Sequence, residues 1–299
     1  MAFRQLNTKP IAPIHAKGST CLLLIDCQLG FRNVSAWGGS GVSNPGFEKN
    51  IKTLLETFRE EAAKKPVGER PLIIHAQYRP VWTDHPLHVS NRGPWGEHGE
   101  TKRGIDFLEC AIPHTRDPKD GVFKPCPSFD EPELPDPDAP PPPPPPEKTD
   151  GAPRPPSHEM LMTSHGHSVF INTPLQQLLN DRKVRTLLVA GMSTDQYVST
   201  AVRMAHNLAL VGELGGDGNM EDTASCDLWT DGVAVYGKLP GEEGDKLSVD
   251  MMRIVLVEDA TRAFGKGGFD AQVVHKVHVE SLKDFAEVRT TAEVVGALK

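Results

Sequence analysis

The run VRTLLVAGMSTDQYVSTAVRMA, residues 184–205, decides the architecture. Val184–Ala190 is short, apolar and partly β-branched, which predicts a buried strand, and Gly191 ends it. A helix restarts almost at once. Thr194 or Asp195 is placed to accept hydrogen bonds from the free N–H groups of its first turn, so Gln196 and Tyr197 sit at its positive end. In an open parallel sheet such a strand-to-helix corner is where ligands are held.

Working outward, the same alternation recurs. Thr20–Asp26 reads as a strand apolar on both faces, as a central parallel strand should be, and it delivers Asp26 to the same edge of the sheet. Phe47–Lys64 has helical spacing in Phe47, Ile51, Leu54, Leu55 and Phe58. Pro71–Gln77, Met160–Thr163, Arg253–Glu258 and Phe285–Thr290 read as further strands, with helices over Leu175–Arg182 and Phe269–Lys283. Strands alternating with helices predict an α/β, three-layer, Rossmann-like fold: a parallel six-stranded sheet with helices on both faces.

Four pieces, LLLIDCQLGF at 22–31, HGHSVFINTPLQQLL at 165–179, VAGMSTDQYVSTAVRMA at 189–205 and VLVEDATRAF at 255–264, occur in an order and spacing that resemble the isochorismatase-like family. That group includes nicotinamidases, N-carbamoyl amidases and the true isochorismatases. The resemblance implies the strand order 3-2-1-4-5-6 and a homo-oligomer. It also implies a triad of Asp, Lys and nucleophilic Cys in the hydrolytic members. Here the Asp is Asp26, the Lys position holds Ser164 and the Cys position holds Tyr197.

The remaining sequence sets limits. The chain has 299 residues and a formal net charge of −8, with no basic block, which argues against nucleic acid or an anionic membrane as partner. No apolar run is long enough to span a bilayer, so a cytoplasmic protein is expected. The five cysteines are scattered, without CxxC spacing, and suggest neither disulfides nor zinc. Residues 1–19 read as an arm, on the surface or across a neighbouring subunit, ahead of a domain over 20–299. Two insertions interrupt that domain. Residues 121–158 hold fifteen prolines between Pro125 and Pro156 and read as an exposed, disordered spacer; residues 211–250 are rich in Gly and Asp.

Tyr197 cannot replace a thiolate, because a phenol titrates near 10 and attacks amides poorly. Among family members, the isochorismatases lack the Cys and use the first-strand Asp to protonate a vinyl ether. Replacing the Lys by Ser164 removes a cation and makes Asp26 more acid-like. Catalytic candidates are therefore Asp26, Tyr197 and Ser164. The substrate, a small carboxylated molecule, is expected to meet Phe31, Trp82, His165, His167, Ser193 and Thr194. His165 and His167 are either charge or proton carriers or surface histidines in a turn, and Tyr197 is either a phenolic donor or a plug. Asp84, His85 and His88 do not match a ligand set, so neither metal nor cofactor is expected. Two readings stand: a hydrolase working through Asp26, or an inactive family member that binds a small molecule or a protein partner.

Overall fold

The computed structural model describes residues 7–39, 41–93, 102–116, 123–125, 158–210, 214 and 252–299. The polyproline run, most of residues 211–250, Trp95, Cys126 and Cys226 lie outside them. The six strands of the main sheet are β1 (Thr20–Ile25), β2 (Leu72–Tyr78), β5 (Glu159–Ser164), β6 (Thr186–Met192), β7 (Arg253–Arg262) and β8 (Glu287–Arg289). They lie in the order β5-β2-β1-β6-β7-β8. All the pairings are parallel. Counting only these strands, the order is 3-2-1-4-5-6, as the resemblance implies.

β1 is the centre because every one of its residues is apolar or small enough to be enclosed on both faces. Cys21 pairs with Leu72 on one side and Leu187 on the other, and all six residues of β1 are buried. Each fully buried Leu or Ile contributes about 1.5–3 kcal/mol in this setting. Among the described residues five helices cover the sheet: α1 (Phe47–Ala63), α2 (Leu175–Asp181), α3 (Ser199–Leu210), α4 (Ala271–Leu282) and α5 (Thr291–Ala297). α1 buries Phe47, Ile51, Leu54, Leu55, Phe58 and Ala62, the spacing the sequence predicts plus one further turn. It packs with α5 and β7, while α3 packs with α4. Asp259 Oδ1 accepts from the Thr291 N–H and hydroxyl, both at 2.7 Å, so this side chain seats the start of α5.

Two local features bear on the arm and on the first insertion. The described part of the N-terminal arm is held by the chain's own C-terminal segment: Ile14 is buried, its N–H donates to Ala297 O at 2.9 Å, and Lys299 N–H donates back at 3.0 Å. The proline-rich insertion begins as structure, since β4 (Phe123–Pro125) pairs antiparallel with β3 (His114–Arg116).

The outer strand β5 is fastened by a buried carboxylate. Glu159 Oε1 accepts from Arg59 Nη2 at 2.6 Å and the His114 N–H at 2.9 Å, and lies 2.8 Å from His75 Nε2. Burial alone would raise its pKa, but hydrogen bonds from His75 and Arg59 overcome that and hold it at about 2. The depressed value makes ionised Glu159 a source of stability above its ordinary pKa of 4.5, lost as pH falls toward 2. Glu159→Gln leaves Arg59 uncompensated and is expected to cost about 3–5 kcal/mol at pH 7. Urea unfolding should show the gap to the wild type narrowing steadily between pH 4.5 and 2.

Candidate active site

Strand order reverses across β1, and the crevice lies at the carboxyl ends of β1 and its neighbours. The last turn of β1 is shaped by what β6 does beside it. Gly191 has φ +123, and a Cβ there would stand 2.0 Å from Ile25 O. Only glycine lets the two backbones approach so closely. Beyond this point Asp26 takes φ +50, with its N–H donating to Ala76 O at 3.0 Å. Gln28, fully buried, then clamps β1 to β2: its Oε1 accepts from the Tyr78 N–H, and its Nε2 donates to Tyr78 O and Ile105 O, at 3.0, 3.0 and 3.1 Å.

The corner after β6 differs from the expected capped α-helix. After a cis peptide between Met192 and Ser193, the chain makes a π-helical turn over Thr194–Val198 before α3 begins. Ser193 holds the cap position without a side-chain cap bond. Thr194 and Asp195 do not cap. Thr194 Oγ1 lies 3.0 Å from His275 Nδ1 on α4, and Asp195 Oδ2 accepts from Lys266 Nζ at 2.5 Å. Pinned at both residues, the wide turn presents Tyr197 inward, 3% exposed.

Tyr197 lies in an aromatic cage. Its ring centroid is 5.1 Å from that of His167, 5.2 Å from Tyr78 and 6.4 Å from Phe31. Phe31 in turn stacks on Trp37 at 4.5 Å and Phe264 at 6.0 Å, and His85 meets Trp37 and Tyr78 edge-on. Burial, with Asp26, Tyr78 and Asp195 adding to it, pushes the Tyr197 phenol far above its usual range, and its hydroxyl shares a hydrogen bond with Tyr78. Both phenols stay protonated at neutral pH.

Asp26 is 1% exposed and its Oδ1 has no hydrogen-bond partner among the described residues. Burial raises its pKa well above the ordinary carboxyl value, and the Tyr78 backbone N–H opposes this only in part. Among the described residues, no cation is among the groups that set its protonation.

The other sequence candidates are distributed as follows. Ser164 ends β5, buried, in register with Tyr78. Ser193 is buried with its Oγ unpartnered among the described residues. His167 is an exposed ring over the cage, whereas His165 turns outward to Arg79 O at 2.7 Å. Trp82 is 61% exposed and joins none of these rings, and Trp37 is the tryptophan in the cage. Tyr78, Trp37 and Phe264 were not among the candidates; the sequence signal for Tyr78 was its place one residue beyond the expected end of the second strand. His85 Nδ1 accepts from the Leu87 N–H and His88 Nδ1 meets Ser90 Oγ at 2.7 Å. Among the described residues no group of three or more His, Cys, Asp or Glu side chains is placed to hold a metal ion.

Fold and site together define an α/β protein with a carboxyl centre at the switch point of a parallel sheet. The isochorismatase domain model matches residues 20–210, and the chain belongs to the isochorismatase family. An uncharacterized isochorismatase family protein of Bacillus subtilis (strain 168), YrdC, is 25% identical over 149 residues, 48% of this chain and 57% of the relative. The match thus spans little more than half of that relative's length. Among solved structures, an isochorismatase-family protein of Chromobacterium violaceum ATCC 12472 superposes with a TM-score of 0.55 at 20% identity, over 96% of this chain and 97% of the other. A cysteine hydrolase of Pseudomonas syringae pv. phaseolicola 1448A gives 0.51 at 17% identity, covering 97% of each. At these identities the structures establish the shared fold.

The raised pKa of Asp26 has a sign that can be checked. As pH rises, the unfolded chain ionises this group before the folded protein does, so above pH 3.8 the native state loses stability on its account. Asp26→Asn is expected to be more stable than the wild type at pH 7, with the difference closing below pH 3.8 in paired thermal melts. Gly191→Ala should cost about 3 kcal/mol or more in the same assay, because β6 must move off β1.

Proposed function

We propose that this protein is a hydrolase of the isochorismatase type that uses Asp26 as a general acid and no cysteine nucleophile, acting on a small carboxylated molecule with an enol-ether-type bond. One observation carries the reading: a carboxyl group raised in pKa by burial, with no cation among the described groups that act on it and one oxygen unpartnered among the described residues. In this scheme the protonated Asp26 gives its proton to the vinyl carbon and leaves an oxocarbenium ion. Water adds to that ion and returns a proton to Asp26. The resulting hemiketal then collapses to a ketone and an alcohol. In the same reading Tyr197 stands where other family members place the thiol, and Ser164 where they place the lysine. The phenols of Tyr197 and Tyr78 serve as hydrogen-bond donors to the substrate. His167 is exposed and its ring meets both phenol rings.

A specific observation also favours the second reading, an inactive family member acting as a binding module. Tyr197, Tyr78 and Asp26 are all buried, 3%, 1% and 1% exposed, and Asp26 is close enough to both phenols to push up their pKa.

Turnover of a panel of enol ethers and simple amides by the wild type and Asp26→Asn decides between them. The proposal expects turnover of an enol ether that falls by about 10²–10⁴-fold in the variant, and a wild-type kcat/KM that declines as pH rises through the raised Asp26 pKa. Amides should not be turned over. Enol-ether activity that survives Asp26→Asn would sink the acid role. Absence of any turnover, with Tyr197→Ala newly binding the same compounds, would establish the plugged pocket.

A further inference from the structure

A cavity of about 710 Å³ opens between α4 and the C-terminal half of β7, and none of the residues caged around Asp26 lines it. Its size is that of a small-molecule site, roughly 300–1,000 Å³. The groups on its wall divide into those already engaged and those that are not. Lys283 is paired with Glu280 at 2.6 Å, and Asp259 Oδ1 is taken by Thr291. Among the described residues, the half-buried Glu258 carboxyl group has neither a hydrogen bond nor an ion pair, and the ammonium of Lys276 has neither as well. Among the described residues Gln272 uses only its Oε1, accepting from the Asn44 N–H at 3.3 Å, so its amide N–H groups face no described partner. Val277 and Val279 supply apolar wall between these polar groups.

One acceptor of negative charge, one unpaired ammonium with an amide donor, and an aliphatic surface match a ligand carrying both charges. We infer that this cavity is a binding site for a small zwitterion of the α-amino acid type, with its ammonium on Glu258, its carboxylate on Lys276 and the Gln272 amide, and its side chain against Val277 and Val279. A simple anion would have to approach Glu258, whose surroundings Asp259 and Glu293 make more negative. A simple cation would answer Glu258 but leave Lys276 unmatched. The site also has a line of communication. His275, at the cavity wall, lies 3.2 Å from Asn44 Nδ2 through Nε2 and 3.0 Å from Thr194 Oγ1 through Nδ1, so an occupant touches one of the two side chains that pin the π-turn carrying Tyr197.

The test is calorimetric titration of the full chain with L-leucine, with isopentylamine as the ammonium-only analogue and 4-methylpentanoate as the carboxylate-only analogue. NMR of the His275 ring provides a second readout. Leucine is expected to bind saturably, at least about tenfold tighter than either analogue, and to shift the His275 resonances. Glu258→Gln and Lys276→Met should each weaken it by about tenfold while retaining the wild-type melting temperature. Should Glu258→Gln fail to fold, exposed Lys276 carries the test alone. Asp26→Asn should bind leucine unchanged, which separates this site from the hydrolase reading. Failure of leucine to bind, equal binding of either analogue, or binding indifferent to Lys276→Met would overturn the inference.

Discussion

The close passage of β6 over β1 at Gly191 is the constraint that the rest of the site obeys. With a would-be Cβ only 2.0 Å from Ile25 O, the two central strands touch backbone to backbone just where both end. That contact brings the residue after β1, Asp26, next to the residue that the π-turn turns inward, Tyr197. It coincides with a register shift between β6 and β7 at Val189/Gly191, which lets β7 run on to Arg262 and carry Phe264 into the aromatic cage. A single missing side chain therefore coordinates three strands.

Around that contact the protein sets a carboxyl group among rings rather than among charges. The phenols of Tyr78 and Tyr197 lie close enough to feel Asp26, and among the described residues only the Tyr78 N–H, which also donates to Gln28 Oε1, opposes the effect of its burial. The neutral acid is consequently the form the fold prefers. The opposite arrangement occurs at β5, where Glu159 is as buried as Asp26 but meets Arg59, His75 and a backbone N–H, and is held ionised. Burial is shared by the two carboxyl groups; the partners decide their opposite protonation.

The sheet was legible because β1 and β6 are continuous apolar runs bounded by turn residues, and Asp26 was legible because it follows the first of them directly. Strand order came from resemblance, since nothing in the periodicity of β7 or β8 says which neighbour each will choose. The cage was much less readable. Its rings come from segments around positions 31–37, 78–85, 167, 197 and 264, and proximity between them exists only after folding. The loop after β2 advertised Trp82, yet that ring is exposed while Trp37, from a glycine-rich stretch, is inside. The π-turn left no local mark either, because Lys266 and His275, some seventy and eighty residues downstream, are what hold Asp195 and Thr194.

The Glu159 carboxylate also ties together the two sides of the long proline-rich segment. His114, in β3, donates its N–H to Glu159, and Arg59 reaches both Glu159 and Ile112 O. Residues 114 and 159 are thereby held one hydrogen bond apart. The entropy of closing such a segment grows only with the logarithm of its length, about 0.6 kcal/mol for each doubling. With residues 114 and 159 so fastened, a change in the number of residues between them alters the closure entropy by only a fraction of the free energy this carboxylate contributes.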